Sequence, residues 1–455
     1  MNTKQNKLGT MPVTKLLIQF AIPSIVAMLV SALYNIVDQF FIGRSIGQLG
    51  NAATNIAFPL STSCTAIALL LGIGGASCFN LTMGEGNKEK AVNYLGNAAS
   101  LLFLFGTILA VCTQIFLRPM LLFFGAPENV LGYAMEYTRI TSIGFPFLIF
   151  SVGGGHLVRA DGTPQYAMMS NLTGAVINTI LDALFIFGFG MGMQGAALAT
   201  IIGQVISAVL IFRYLMHCKT VTLQWKHICP KVKYAEKIMS LGAAPCFNQL
   251  AMMIVQIVLN KSLTYYGRLS VYGDAVPLAC AGIITKVNML YFSVVIGLSQ
   301  GSQPIASFNY GAKQFDRVRE TYKKAVFTAT VVSCIAFLLF QFVPREIIAV
   351  FGSGSEEYFQ FATRYFKIFL FATFLNGIQP ISSNFFTAMG KPKKGIFLSL
   401  TRQIIFLLPL ILIFPLLIGI DGIMYAGPIA DIVAAIVSLI MISFEFKKMK
   451  ELEVK

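Results

Sequence analysis

Apolar blocks of twenty or more residues with little charge follow one another along the whole chain, and this feature limits the possible fold more than any other. Since about 20 apolar residues let a helix cross the hydrocarbon core of a bilayer, each block is long enough to span a membrane. Only 12% of the 455 residues are charged, whereas a soluble domain has about 25%. The sequence therefore predicts a polytopic helical membrane protein and excludes soluble enzymes, secreted proteins and fibrous proteins.

Turn residues and charges separate twelve such blocks. We therefore expect an all-α membrane protein with spans near 16–41, 53–81, 93–117, 132–157, 167–189, 194–216, 239–264, 276–304, 325–343, 359–387, 396–418 and 423–444.

Lysine and arginine residues lie at the ends of the apolar blocks, which argues against a nucleic-acid partner despite the net charge of +15. The two termini and every second loop hold 24 of them, Arg159 included, and the remaining loops hold five. Because positive residues stay on the cytoplasmic side of a membrane, both termini are expected in the cytoplasm. The number of spans must then be even.

The two halves of the chain resemble each other. Four residues of the first half, Gly72, Ser77, Gly86 and Lys88, recur 225 positions later as Gly297, Ser302, Gly311 and Lys313. The motif Gly162-x-Pro164 also returns as Gly390-x-Pro392. These matches keep one order along the chain, so they indicate an internal repeat.

The repeat predicts two six-helix bundles, at 1–212 and 239–455, joined by a basic cytoplasmic linker at 213–238. Because each repeat has an even number of spans, the bundles should be related by a pseudo-two-fold axis along the membrane normal. Two such bundles can rock about a central cleft and expose it alternately to the two sides. Solute transport is the function that this architecture most directly suggests.

Two motifs resemble those of a known family. Pro23 is followed by Asp38 and Gly43 in the first span, and residues 297–313 read GLSQGSQPIASFNYGAK. Together with the repeat, they are similar to the multidrug and toxic compound extrusion (MATE) transporters, and in particular to the bacterial branch with paired aspartates in the N-terminal bundle.

The resemblance implies cation-coupled antiport that exports amphipathic, often cationic, compounds through rocker-switch alternating access. It also implies a multi-pass protein of the bacterial cytoplasmic membrane, whose partners are the lipid bilayer and small organic substrates. We expect a monomer that is not an enzyme and needs no cofactor other than a coupling ion, H⁺ or Na⁺.

Ionisable groups inside apolar blocks are the first candidates for the chemistry. A charge at the centre of a membrane costs about 2.5–3.5 kcal/mol, so it is a functional candidate by default. The carboxylates in such positions are Asp38, Asp182 and Asp431, and the cations are Lys286 and Arg402.

Asp38 and Asp182 each have a polar neighbour on the same helix face. Tyr34 precedes Asp38 by four residues, and Asn178 precedes Asp182 by four. Thr200 could complete an oxygen-rich pocket if spans one, five and six meet. The resemblance implies that these five residues form a cation-responsive site. Four of them are possible ligands of Na⁺: Asp38, Asn178, Asp182 and Thr200.

The internal repeat offers a comparison for the acid pair. Asp38 aligns with Asn260 in the second half, and Asp182 aligns with Leu410. Since only the first half keeps both acids, their role is better explained by chemistry than by bundle packing. The alternative is that either acid pairs with a buried cation such as Lys286 or Arg402.

Carboxylates of this kind can exchange a proton or hold Na⁺ with equal chemical ease. Neutralising them would weaken their attraction for a cationic substrate and let nearby helices repack. Pro23 leaves one helical carbonyl without its usual donor, so it is a candidate bending element. The resemblance adds that the first span bends at this proline when the site titrates.

Two residues of the second half and the function itself leave alternatives open. Lys286 is either a counter-charge for the acids or a side chain that reaches toward the membrane surface, and Asp431 is a possible second cation site. A lipid-linked precursor flippase of the same superfamily is the alternative function, although its polyanionic head group would require several arginines. None of the three histidines has metal-ligand spacing on one helix, so a metalloenzyme is not expected.

Overall fold

The computed structural model describes residues 6–273, 275–351 and 356–454, and all regular secondary structure in these ranges is helical. The first half contributes the spans α1 (Val13–Ser45), α2 (Gln48–Gly84), α3 (Lys88–Ile115), α4 (Glu128–Thr141 and Phe145–Ala160), α5 (Pro164–Asp182, continued by a π-turn at Ala183–Gly188) and α6 (Gly192–Met216).

The second half repeats this order. Its spans are α7 (Val232–Arg268), α8 (Ala275–Gly311), α9 (Phe315–Phe342), α10 (Glu356–Phe369 and Ile378–Ala388), α11 (Pro392–Leu400, a π-turn at Thr401–Leu407, and Leu408–Ile418) and α12 (Ile420–Val454).

Within the described residues, eleven of these helices are long and apolar enough to cross a membrane. The exception is the predicted tenth span, 359–387, because a 3₁₀ turn at Thr373–Leu375 divides α10 into two shorter helices. Its counterpart α4 also contains a 3₁₀ turn, at Ser142–Gly144. The fold is therefore the predicted pair of six-helix bundles, with one discontinuous span that composition alone did not reveal.

The internal repeat is also visible in the backbone. Gly162 and Gly390 both have positive φ angles, +92° and +73°, and in both cases a proline follows at the first turn of the next helix. Glycine adopts this left-handed conformation without steric cost, and proline is favoured at a helix start. The recurring Gly-x-Pro motif thus makes the same turn before α5 and before α11.

The two bundles meet mainly where α1 packs on α8 and α2 packs on α7. A Cβ atom at Gly242 of α7 would lie 1.7 Å from the backbone oxygen of Leu70 in α2. Only glycine allows so close an approach, as is common between membrane helices.

Polar contacts close the bundles together near the termini and the basic loops, which we call the basic side. The Gln303 amide donates to Ser77 Oγ over 2.8 Å, and both side chains are buried. The backbone oxygen of Leu8, in the N-terminal segment, accepts hydrogen bonds from Asn309 and Arg317 of the second bundle, each at 3.0 Å. First-bundle and second-bundle residues are therefore tied together at this side.

The helices on either side shorten the predicted linker, 213–238, at both ends. α6 continues to Met216 and α7 begins at Val232, so the connecting segment is 217–231, with one short helix at Trp225–Ile228. Asn97 of α3 fixes this segment. Its side-chain amide donates a hydrogen bond to the backbone oxygen of His227 and accepts one from the backbone nitrogen of Lys231.

Candidate functional site

The side chains of Asp38 and Asp182 meet inside the first bundle. Asp38 lies on α1 and Asp182 ends the α-helical part of α5, and the two carboxyl groups lie close enough to interact directly. Asp182 has no exposed surface, whereas Asp38 is partly exposed. Two carboxylates in contact repel each other unless a proton or a cation lies between them.

Asn178 and Thr200 support this pair from α5 and α6. In the amide orientation that satisfies both of its polar atoms, Asn178 donates to Asp182 Oδ2 over 3.3 Å and accepts from the Thr200 backbone nitrogen over 3.1 Å. The two helices come this close at Gly174, where a Cβ atom would lie 2.0 Å from Ser207 Oγ. Spans one, five and six therefore meet as expected.

Tyr34 completes the predicted group, since it lies on α1 within electrostatic range of both carboxyls. A residue that the sequence analysis missed, Tyr137 of α4, joins them. Its hydroxyl lies near Thr200 and within electrostatic range of both acids. The internal repeat could have indicated Tyr137, because the aligned position in the second half is Ala362 and the tyrosine is therefore particular to the first bundle.

The acid pair keeps free coordination capacity. One buried oxygen of Asp38 and one of Asp182 have no hydrogen-bond partner, and neither acid forms an ion pair within the described part of the chain. Buried polar atoms are normally satisfied, so each exception calls for an explanation. A proton would satisfy the pair, and Na⁺ would fit because it takes carboxylate, amide and hydroxyl oxygens as ligands.

A cavity of about 430 Å³ lies between the two bundles and reaches the acid pair. Asp38, Tyr34, Thr200 and Tyr137 line it, whereas Asp182 lies behind Asp38. Both bundles contribute apolar lining residues, among them Met28, Leu69, Phe145, Leu148, Met252 and Phe292. An apolar organic molecule in this cavity would therefore contact the Asp38 carboxyl group.

The second bundle has no equivalent acid pair among its described residues. Asp431 forms an ion pair with Arg402, and both line the cavity. Arg402 is thus engaged by Asp431 and not by Asp38 or Asp182. Lys286 is exposed on α8 and is not among the residues that line the cavity, a position typical of a side chain that reaches toward the membrane surface.

Arg159 is placed differently from expectation. The charge count assigns it to the loop residues of the basic side, but its side chain is only 5% exposed and lines the cavity from the last turn of α4. The apolar block ends just before it, so the sequence pattern could not distinguish a loop residue from one that points inward.

Pro23 is buried inside α1, which continues on both sides of it from Val13 to Ser45. The Ser24 hydroxyl donates to the backbone oxygen of Phe20 over 2.8 Å in the same turn. Since proline provides no backbone N–H, this turn is weaker than its neighbours. The predicted bending position thus lies between the N-terminal contacts of the basic side and Asp38.

Comparison with known proteins agrees with this architecture. The MatE family model matches residues 23–184 and 246–413, one match in each half of the chain. The multidrug export protein MepA of Staphylococcus saprophyticus is 23% identical over 433 residues, covering 94% of this chain and 93% of MepA. MepA of Staphylococcus haemolyticus is 24% identical over 432 residues, with the same coverage.

Two solved structures are similar over nearly the whole chain. The MATE multidrug transporter DinF-BH in complex with rhodamine 6G is 34% identical, with a TM-score of 0.88 and 96% of each chain covered. A multidrug resistance MATE transporter of the MOP superfamily, in an outward-facing conformation, is 22% identical, with a TM-score of 0.91 and 98% of each chain covered.

Proposed function

Since the chain belongs to the MatE family of multidrug efflux transporters, we propose that it is a cation-coupled antiporter in which Asp38 and Asp182 hold the coupling ion. H⁺ or Na⁺ moves inward as an amphipathic, often cationic, organic compound moves out. The membrane is the bacterial cytoplasmic membrane, and both termini face the cytoplasm.

The observation that carries the proposal is the contact between two carboxyl groups that have no cationic partner in the described residues and adjoin the central cavity. Without an ion, the pair is negative and attracts a cationic compound to Asp38. When a proton or Na⁺ arrives, the attraction falls and the compound is released. Each entering charge supplies about 2.3 kcal/mol per 100 mV of membrane potential.

Alternating access requires the two bundles to separate at one side and close at the other. The contacts of Ser77 with Gln303, and of Leu8 with Asn309 and Arg317, join the bundles at the basic side. We assign this arrangement to the outward-facing state. Opening inward would break these contacts, and Pro23 is the element of α1 best suited to bend while Asp38 changes its neighbours.

Transport by purified protein in liposomes tests the proposal. Rhodamine 6G is the fluorescent organic cation, and a pH gradient and a sodium gradient are imposed separately. One of the two gradients should drive accumulation of the dye, and Asp38→Asn and Asp182→Asn should each abolish it. Asp316→Asn is the matched control, because its side chain is 90% exposed and its partner Arg319 keeps Glu453. Coupled dye transport by both acid variants would contradict the proposal.

The flippase alternative finds less support in the cavity. A polyanionic head group needs several cationic contacts, but Arg402 is engaged by Asp431. Arg159 is then the one arginine of the described cavity lining without an acidic partner. The same liposomes can test the alternative, since a flippase would move a fluorescent lipid diphosphate without either ion gradient.

A further inference from the structure

Arg159 is a buried cation whose charge nothing in the described residues balances. Its side chain is 5% exposed, and Nη2 makes two contacts, with His156 Nδ1 at 3.3 Å and with Gln300 Oε1 at 3.5 Å. Its Nε has no hydrogen-bond partner, and no carboxylate of the described chain forms an ion pair with it. Arginines in protein interiors are normally paired.

The two neighbours of Arg159 do not reduce its charge. Because a guanidinium has only donors, His156 Nδ1 must accept the hydrogen bond, and the imidazole is then neutral with its proton on Nε2. Gln300 is an uncharged amide from α8 of the other bundle. The contacts therefore orient the guanidinium in the cavity lining between the two bundles and leave its positive charge uncompensated.

The cavity consequently has two poles. Asp38, Arg159, Arg402 and Asp431 are its charged lining residues, and the last two cancel each other as an ion pair. What remains is a negative pole at Asp38, backed by Asp182, and a positive pole at Arg159. Apolar and aromatic side chains such as Phe145 line the space between them.

We propose that Arg159 is an oxyanion-binding residue of the substrate cavity, so that the cavity accepts amphiphiles with a carboxylate or similar oxyanion on an aromatic body. A guanidinium whose charge is not balanced by an acid suits such a group, since hydrogen bonds between a guanidinium and an oxyanion are strengthened by their opposite charges. A cationic group on the same molecule would lie toward Asp38. This inference rests on the proposed export function and adds the charge class of the substrate.

A matched pair of dyes tests the inference. Rhodamine 6G is a cationic ester, and its free acid differs only by a carboxylate in place of the ester. Binding of each dye to purified protein is measured by fluorescence polarisation for the wild type, Arg159→Gln and Arg159→Lys. Arg213→Gln is the control, because Arg213 is an exposed arginine at the end of α6.

The wild type should bind both dyes. Arg159→Gln should weaken binding of the free acid by about tenfold or more, since a charge-assisted hydrogen bond is lost, and should leave the ester within about twofold. The affinity of Arg159→Lys for the acid should lie between those of the wild type and Arg159→Gln, because lysine keeps the charge but lacks the planar guanidinium. Arg213→Gln should change the binding of neither dye.

Three results would overturn the inference. They are equal weakening of both dyes by Arg159→Gln, equal acid binding by all variants, and binding of the ester alone by the wild type. In each case ion-driven export of the ester dye could persist, so the proposed function would stand. Loss of that export in the wild type is the separate result that contradicts the function. If Arg159→Gln does not fold, Arg159→Lys decides: it should bind the acid more weakly than the wild type does and bind the ester equally well.

Discussion

The two bundles share a fold but differ in whether their buried carboxyl groups have a cationic partner. In the first bundle, Asp38 and Asp182 touch each other and lack a cationic partner among the described residues. In the second, Asp431 is held by Arg402. A paired charge is already neutral and has nothing to gain from an ion, whereas an acid pair needs a proton or a cation to remain buried. The difference distinguishes the bundle that is proposed to bind the ion from the bundle whose buried charges already compensate each other.

Backbone irregularity accompanies the charge in both bundles. The π-turn of α5 begins directly after Asp182, and the π-turn of α11 contains Arg402. Such turns frequently occur at functional sites, because they redirect one side chain without ending the helix. Each fifth helix of the repeat thus presents a charged residue to the interior, and the identity of its partner decides what that residue can do.

The largest expected effect comes from removing the acids together. The double variant Asp38→Asn/Asp182→Asn should export no more rhodamine 6G than protein-free liposomes, and it should be no worse than either single variant, because residues that act as one unit are not additive. Uptake under the driving ion gradient is the measurement. If each single variant kept part of the activity and the double lost the sum, the two acids would be separate sites.

Breaking the pair of the second bundle should cost stability and not ion specificity. Arg402→Met leaves Asp431 buried without its partner, which is expected to lower the free energy of unfolding by about 3–5 kcal/mol. The double variant Arg402→Met/Asp431→Asn should recover most of the loss. Thermal unfolding in detergent is the measurement.

The surface pair of Arg364 with Asp421 provides the control for this experiment. Their side chains are 51% and 32% exposed, so Arg364→Met should cost no more than about 1 kcal/mol. An equal loss of stability in Arg402→Met and Arg364→Met would show that the cavity pair is no more important to the fold than a surface pair.

Sequence patterns predicted most of this comparison because its parts are local. Apolar blocks set the spans, and the four-residue spacing of Tyr34 with Asp38 and of Asn178 with Asp182 placed each pair on one helix face. The break in α10 was missed because the length of the segment 359–387 set the predicted span, and length does not show where a helix gives way to a 3₁₀ turn. The pairing of Arg402 with Asp431 depends on how α11 packs on α12, which composition does not encode.

An intermediate effect is expected from Asn178, which supports one acid. Asn178→Leu removes the amide between Asp182 and the Thr200 backbone, so the affinity for the coupling ion should fall by about tenfold, as for outer ligands of other ion sites. The half-saturating ion concentration for dye transport is the measurement. Asn260→Leu is the control, since Asn260 is the counterpart of Asp38 and its side chain accepts a hydrogen bond from Gln256 of its own helix.

The smallest expected effect concerns Tyr137, whose aligned position in the second half is Ala362. Tyr137→Phe removes a hydroxyl near Thr200 and the acids and keeps the ring, so the loss of one neutral polar group should weaken ion affinity by about threefold. Tyr133→Phe is the control, because Tyr133 is an exposed tyrosine one turn earlier on the same helix. If both variants transport the dye like the wild type, the ion site is confined to α1, α5 and α6. If only Tyr137→Phe is impaired, α4 also belongs to it, and the two bundles then differ at every helix that faces the acids.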